Sequence, residues 1–210
     1  MTLAAQMIER GDLNELPYER FWREIGKAFE DGPPAKFFEL LYELGAFEDV
    51  RFFKEMFGGT MKGSVFARIM HLSTECHAFG PELGVDLFSA IVAPEATSSF
   101  FNTSRAGSIF IGLHSLKRLS RPPTALELVQ FWTRCRAWGT GTMADDVIQA
   151  VRLVELVCGA RSEFYSSEKL QLSLDAARSV TSAPFSHLVG KLIGEAMTAE
   201  RVQRVQTLLT

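Results

Sequence analysis

The sequence predicts an all-α, multi-helical fold, and three observations support this prediction. Apolar residues recur at three- and four-residue steps in one segment after another, which is the period of a helix with one buried face. Glycine and proline clusters separate these segments, and no segment shows the sustained alternation of a β-strand. The chain has 210 residues, of which 47% are hydrophobic, so it is long enough to bury a substantial core.

The clearest helical segment is a hairpin between Leu16 and Val50. Its first helix, at 17–29, is ended by the sequence Asp-Gly-Pro-Pro at 31–34. Its second helix ends at Gly45. Glycine tolerates the left-handed conformation that ends a helix, and a proline in the first helical turn loses no hydrogen bond. The apolar residues that define the two helices are Phe21, Trp22, Ile25, Ala28 and Phe29, then Phe37, Phe38, Leu40, Leu41 and Leu44.

The same period predicts further helices on both sides of the hairpin. Pro81 begins a strongly apolar helix and Pro94 ends it, whereas the Ser- and Thr-rich residues 96–105 are predicted to form a loop or a short helical turn. The helices expected in the first 120 residues, besides the hairpin, cover 2–10, 47–57, 64–79, 81–92 and 107–119.

A capping-box pattern begins the second half of the chain. Thr124 is placed to cap a helix, and Glu127 follows three residues later to reach back to the cap. We predict a helix from there to Trp138. Periodicity then predicts helices at 144–158 and 168–180, and two helices within 184–210 that are split near 194–198.

Composition places few limits on function. The net charge of -3 neither indicates nor excludes a nucleic-acid-binding protein, because a small basic face would not change this sum. The three cysteines are widely spaced and form no CxxC motif, which favours free thiols in a reducing compartment and a cytoplasmic location. The start of the chain has no leader pattern, and no apolar segment approaches the ~20 residues of a membrane helix, so no membrane association is expected.

The hairpin also contains motifs of a known family. A helix with the pattern ERxWxE is followed by one with the pattern FFxxLxxxGA; the matching residues are Glu19, Arg20, Trp22 and Glu24, then Phe37, Phe38, Leu41, Gly45 and Ala46. A lead-in and a later step also match, at Met7, Gly11, Leu13 and Leu16, and at Gly190, Ile193 and Gly194. This arrangement resembles the neck-to-body region of bacterial class II tRNA nucleotidyltransferases, the CCA-adding enzymes and their poly(A) polymerase relatives. The resemblance is clearest over residues 7–50.

The resemblance implies an elongated neck, body and tail arrangement like the C-terminal part of class II CCA-adding enzymes. The expected division is a partial neck and neck–body hairpin at 1–45, a helical body domain at 46–120, and a C-terminal body and tail domain at 121–210. These motifs are structural, so they identify an architecture better than an activity.

The catalytic head of that family has no counterpart in this sequence. Nucleotidyl transfer in the family requires two acidic residues at DxD spacing to hold two metal ions, and no two aspartates here have that spacing. The run from Glu48 to Arg51 superficially matches the family's nucleotide-selecting EDxxR motif, but it is one residue short and falls downstream of the motif's place. We therefore predict no catalytic residues and no cofactor, since magnesium and nucleotide would belong to the missing head.

One cluster contains metal-type or nucleophile-type side chains: His71, Glu75, Cys76 and His77. His71 and Glu75 are one helical turn apart and could share a ligand. A tetrahedral zinc site needs further ligands that the sequence does not supply at the usual spacing. We therefore interpret the cluster as part of an amphipathic helix and predict no metal site, while an enzyme that uses this cluster stays a third, weaker hypothesis.

Three groups of basic residues are candidates for binding RNA. They are Lys117, Arg118 and Arg121; Arg134 and Arg136; and Lys191, Arg201 and Arg204. Solvated helix faces explain such residues equally well. The resemblance implies that the body and tail grip the acceptor and TΨC arms of tRNA through phosphate and sugar contacts. On that basis the candidate RNA-binding residues are Lys117, Arg118, Arg121, Lys191, Arg201 and Arg204.

The expected function is the tRNA-binding part of a split tRNA nucleotidyltransferase. Its partners would be tRNA and a separately encoded nucleotidyltransferase head domain, without DNA or membrane, and the chain alone would not catalyse CCA addition. The alternative is a non-enzymatic helical interaction module, an inhibitor or scaffold derived from such a protein.

Overall fold

A computed structural model describes residues 3–57, 62–93, 104–139, 143–158 and 165–209. The described residues form twelve α-helices and two short 3-10 helices and contain no β-strand, which confirms the all-α prediction. Within those ranges, no helix is both long enough and apolar enough to cross a membrane. The α-helices are α1 (Leu3–Glu9), α2 (Tyr18–Glu30), α3 (Ala35–Glu43), α4 (Ala46–Asp49), α5 (Arg51–Phe57), α6 (Gly63–His77), α7 (Pro81–Val92), α8 (Ser104–Lys117), α9 (Ala125–Arg134), α10 (Met143–Cys158), α11 (Ser167–Arg178) and α12 (Lys191–Leu209).

The chain folds into two compact units. Unit 1 comprises Met1–Phe110 and Leu156–Gly159, and unit 2 comprises Ile111–Glu155 and Ala160–Thr210. The division into three segments at residues 45 and 120 stays a prediction. The loop predicted at 96–105 lies outside the described residues except at its end, where α8 begins.

Unit 1 has a core rich in aromatic rings, and α2 supplies the centre of it. Phe21 stacks on Phe52 of α5 with ring centroids 4.7 Å apart, and Trp22 meets the same ring edge-on at 5.4 Å. Farther along α2, Phe29 lies 5.8 Å from Phe88 of α7. Such pairs contribute about 0.5–1.5 kcal/mol beyond the burial of their area. The hairpin helices are therefore anchored by helices that follow them in the chain.

The helix predicted at 47–57 is wrong in one respect, because it is two helices that meet at Val50. The backbone of Val50 is extended, with φ −89° and ψ 118°, and its side chain is buried. The Asn14 amide bridges the two sides of this break: its Nδ2 donates to the Asp49 carbonyl at 3.2 Å, and its Oδ1 accepts from the Arg51 N–H at 2.5 Å. The apolar period continues through the break, so the sequence pattern did not reveal it.

Asn14→Ala should lower the free energy of unfolding by about 1–2 kcal/mol, because two backbone groups lose their partner. Asn14→Asp keeps an acceptor for the Arg51 N–H but cannot donate to the Asp49 carbonyl, so it should cost a different amount from the alanine variant. Urea denaturation monitored by circular dichroism measures both. Wild-type stability of the alanine variant would contradict a structural role for this amide.

Helix α9 ends at Arg134, four residues before the predicted end at Trp138. Arg136 adopts a left-handed backbone with φ 51°, the Ala137 N–H donates to the Trp132 carbonyl at 3.0 Å, and the Arg136 N–H donates to the Thr133 carbonyl. This is a Schellman ending, which usually has glycine at the left-handed position. The sequence has arginine there, so the usual signal for the helix end is missing.

Helix α12 is continuous, so the predicted split near 194–198 is wrong. A glycine inside a helix costs about 1 kcal/mol relative to alanine, which is not enough to break a long helix that packs on its neighbours. The Thr198 hydroxyl donates to the Gly194 carbonyl at 2.8 Å, a bond within the helix that does not interrupt it. Val205, farther along, is fully buried.

Candidate RNA-binding surface

The start of α9 is fixed by a carboxylate that binds the preceding segment. The predicted capping box is confirmed: the Thr124 hydroxyl accepts from the Glu127 N–H, and the Glu127 carboxylate accepts from the Thr124 N–H at 2.8 Å. Glu127 also accepts from the N–H and the hydroxyl of Ser120. These bonds, the one from the Ser120 hydroxyl above all, lower the pKa of Glu127 to about 2. Residues 120–124, which include Arg121, are therefore held on the first turn of α9.

The Glu127 clamp gives stability a defined pH dependence. Because the pKa of Glu127 is about 2 in the fold against an ordinary 4.5, its contribution is complete above the ordinary value and is lost as pH falls toward about 2. Glu127→Gln should therefore lower Tm near neutral pH, and this difference from wild type should shrink steadily as pH falls below 4.5.

Glu168→Gln is the matched control for this prediction, because Glu168 also lies exposed in the first turn of a helix, α11. It should show a smaller Tm difference than Glu127→Gln across the titration. If Glu127→Gln lowered Tm by the same amount at every pH, the ionised, hydrogen-bonded carboxylate would not be the cause of the stabilisation.

Three arginines connect the elements of unit 2, and we call them the arginine network: Arg178, Arg201 and Arg204. Arg178 binds both carboxylate oxygens of Asp145 at 2.8 Å and donates from Nε to the Ala137 carbonyl at 2.9 Å. The hydrogen bonds to Asp145 raise the pKa of Arg178. The guanidinium carbon of Arg201 lies 3.9 Å from the ring centroid of Trp138, which is a cation–π contact.

Arg204 completes the network. It pairs with Glu200 at 2.9 Å and donates to the Ser179 hydroxyl at 2.7 Å. Arg204 and Arg201 thus join α12 to the residues that follow α11 and α9, respectively. The sequence placed both in one basic group; it did not show that their guanidinium groups contact protein atoms.

The other four predicted RNA-binding residues are exposed. Lys117 ends α8, and Arg118 and Arg121 follow it on the way to α9. Lys191 begins α12, as predicted, with its side chain 90% exposed, and it pairs with Glu195 at 3.1 Å. An exposed pair of this kind contributes about 0–1 kcal/mol, so Lys191 can exchange it for a phosphate at little cost.

A shallow groove of about 780 Å³ lies between the start of α9 and one face of α12. Gly194 and Ala199 of α12, with Gly190 just before it, leave the space for this groove, and Leu126 of α9 borders it. Lys191 and Glu195 line the groove on its α12 side, and Arg121 lies in the segment that Glu127 holds just before α9. Of the predicted RNA-binding residues, Lys191 thus lies in this groove, and Arg121 lies in the segment that Glu127 attaches to α9.

Aromatic rings can stack on exposed nucleotides, and the candidates for this role, Trp132, Trp138, Phe164 and Tyr165, have different environments. Trp132 is fully buried and donates from Nε1 to the Ser173 hydroxyl at 3.0 Å, so its ring packs in the core. The ring of Trp138 is in cation–π contact with Arg201, and the Lys169 ammonium lies 5.6 Å from the ring centroid of Tyr165. Phe164 lies outside the described residues.

The His71 cluster is divided between the surface and the core of unit 1. His71 is exposed and lies 3.5 Å from Glu75, whereas Cys76 is fully buried, and that burial raises the pKa of its thiol. His77 lies against the Phe29 ring at 6.3 Å between centroids. In the part of the chain that the structure describes, no group of three His, Cys, Asp or Glu side chains is placed to hold a metal ion.

Comparison with known proteins gives one informative match. A CCA-adding enzyme of Marinobacter nauticus is 30% identical over an alignment of 229 positions, which covers 98% of this chain and 56% of that enzyme. The chain thus spans little more than half the length of the curated relative it matches. No family model matches the sequence, and no solved structure matches the fold. The relationship over nearly the whole chain confirms the resemblance of the hairpin, and it shows that this chain is related to the tRNA nucleotidyltransferase family.

Proposed function

We propose that this chain is the tRNA-binding, C-terminal part of a tRNA nucleotidyltransferase, which supports CCA addition together with a separately encoded catalytic head. The observation that carries this proposal is the match along 98% of the chain to only 56% of a CCA-adding enzyme. The missing DxD pair agrees with it, because the metal-binding carboxylates would then lie in the partner.

The exposed cations of unit 2 supply the proposed tRNA contacts. Lys117, Arg118, Arg121 and Lys191 present charge to solvent, and Lys191 lines the α9–α12 groove, which suits contacts with the phosphates of an acceptor arm. Arg201 and Arg204 stay predicted RNA-binding residues, but their guanidinium groups are engaged by Trp138, Glu200 and Ser179. We therefore propose that these two act mainly by holding α12 in place.

An extension assay tests the split-enzyme part of the proposal. The chain is incubated with a tRNA transcript lacking its CCA end, a nucleotide mixture and magnesium, with and without a nucleotidyltransferase head domain. No extension is expected from the chain alone, and extension is expected when the head is added. Extension by the chain alone would contradict the proposal that catalysis belongs to a separate head domain.

A gel-shift titration at several salt concentrations tests the tRNA contacts. The triple variant Arg118→Gln, Arg121→Gln and Lys191→Gln should weaken binding by on the order of tenfold to a hundredfold, and the salt dependence should become less steep by about one unit of slope per lost phosphate contact. A matched triple variant at the exposed cations Lys36, Lys54 and Arg152 should bind like wild type. Equal tRNA affinities of the two triple variants would contradict the proposal that these cations of unit 2 contact tRNA.

The second candidate function is a protein-interaction module, which the apolar surface near α12 favours. Val189 and Leu192 are 77% and 53% exposed, and Leu126 borders the same groove. Such a patch is typical of an interaction site. Absence of salt-dependent tRNA binding, together with unchanged folding, would favour this candidate over the first.

A further inference from the structure

Unit 1 has a concavity that lies outside the proposed α9–α12 surface and contains Glu19 and Arg20 of the ERxWxE pattern. A pocket of about 590 Å³ on the solvent side of α2 is lined by Pro17, Glu19, Arg20 and Arg23. Arg23 follows Glu19 by four residues and Arg20 by three, so its side chain neighbours both of theirs on the helix surface. The pocket therefore brings two guanidinium groups and one carboxylate to the same place.

The two arginines share one carboxylate, Glu24, on which both act through their charge but which Lys27 binds more strongly. Glu24, the nearest acidic neighbour of Arg23, is bound by Lys27 at 2.9 and 3.2 Å, and this hydrogen bond is the largest reason that the pKa of Glu24 is lowered. Arg23 reaches Glu24 only at 3.8 Å and is 62% exposed. Arg20 forms no ion pair within the described ranges, and its side chain is exposed. Both guanidinium groups are thus available to an anion.

The helix that carries this pocket is rigidly held. The opposite face of α2 is buried, with Ile25 at 0% exposure and Trp22 at 2%, and Phe21 stacks on Phe52. The helix is preceded by Pro17, whose φ is restricted by its ring. A ligand on the outer face would therefore meet a preformed surface and would order little of the backbone on binding.

The geometry points to a ribose–phosphate contact for RNA at Arg20, Arg23 and Glu19, an inference that rests on the proposed function. Guanidinium groups donate paired hydrogen bonds to phosphate oxygens, which a phosphodiester offers. Glu19 would repel a bare phosphate, but its carboxylate accepts a hydrogen bond from a ribose 2′-OH, a group that DNA lacks. The combination of two arginines and one glutamate thus suits an RNA backbone better than a simple anion or DNA.

The first test is the double variant Arg20→Gln and Arg23→Gln, in a salt titration with the tRNA transcript that lacks its CCA end. We expect about tenfold weaker binding and a log–log salt slope that is less steep by about 1.5. The double variant Lys36→Gln and Lys54→Gln, which removes the same charge from other exposed positions of unit 1, should bind like wild type. Equal affinities and slopes of the two double variants would overturn the inference.

The second test addresses the carboxylate. Glu19→Ala removes both the repulsion of phosphate and the acceptor for the 2′-OH, so the ratio of RNA affinity to DNA affinity, measured with strands of one sequence, should fall. An unchanged ratio would overturn the ribose assignment. Failure of the proposed function is distinguishable, because wild-type protein would then show no salt-dependent RNA binding and the triple variant of unit 2 would have no effect either.

Discussion

Gly84→Ala should lower the free energy of unfolding by about 3 kcal/mol, and Tm by roughly 6–12 °C. Gly84 lies in α7 where that helix crosses α6, and a Cβ atom at this position would be 2.5 Å from the Cys76 carbonyl oxygen and 3.2 Å from Cδ1 of Phe29. The first of these atoms belongs to the α6 backbone, so it cannot move without displacing a helix. Thermal unfolding monitored by circular dichroism measures the effect.

Gly26→Ala is the matched control for this prediction. Gly26 is also inside a helix, α2, but a Cβ atom there would meet no other atom within 4 Å. The substitution should therefore raise stability by about 0.5–1 kcal/mol, the usual gain from replacing a helical glycine with alanine. If Gly84→Ala were also stabilising, the close approach of α6 and α7 would be incorrect.

Arg178→Leu should cost about 2–3 kcal/mol of unfolding free energy, the second largest effect that we expect. The substitution removes the hydrogen bonds that Arg178 donates to Asp145 and to the Ala137 carbonyl, and this loss outweighs any gain from the apolar side chain. Asp145 is partly exposed, so water recovers some of the loss, and for this reason the estimate lies below that for a fully buried pair.

Two further variants make the Arg178 prediction specific. Arg178→Lys keeps the charge but cannot reproduce the planar fork that binds both Asp145 oxygens, so its cost should lie between those of wild type and the leucine variant. Arg152→Leu removes an exposed arginine of α10 and should change stability by no more than about 0.5 kcal/mol. Equal unfolding free energies for the two leucine variants would contradict a structural role for the arginine network.

Most helices could be predicted from the sequence, because each buries a stripe of apolar residues that recurs with the helical period. Helix α7 has the predicted bounds, and the capping box at Thr124 and Glu127 forms with the predicted hydrogen bonds. Local chemistry is sufficient in these cases, since the cap, the first turn and the stopping proline lie within a few residues of one another. The family relationship could also be predicted, because the motifs of the hairpin are contiguous.

The helix predictions that the structure contradicts fail for a different reason. The break at Val50 is bridged by Asn14, which is far from it in sequence, and the continuity of α12 agrees with its packing against α9 and α11. Local propensity is a weak term that such contacts override. The candidate site shows the same limit: the sequence grouped Lys191, Arg201 and Arg204 by charge, but only the fold shows that Arg201 rests on Trp138 while Lys191 extends into solvent.

The sequence by itself determined the all-α class, most helix positions, the absence of a DxD pair and the relationship to the tRNA nucleotidyltransferases. These features depend on residue type and on spacing along one segment, which a sequence contains in full. Tertiary structure decided where helices break, how closely α6 approaches α7 at Gly84, and which cations are available to a ligand. Those properties depend on distances between residues that are remote in the chain, and such distances are set only when the helices pack.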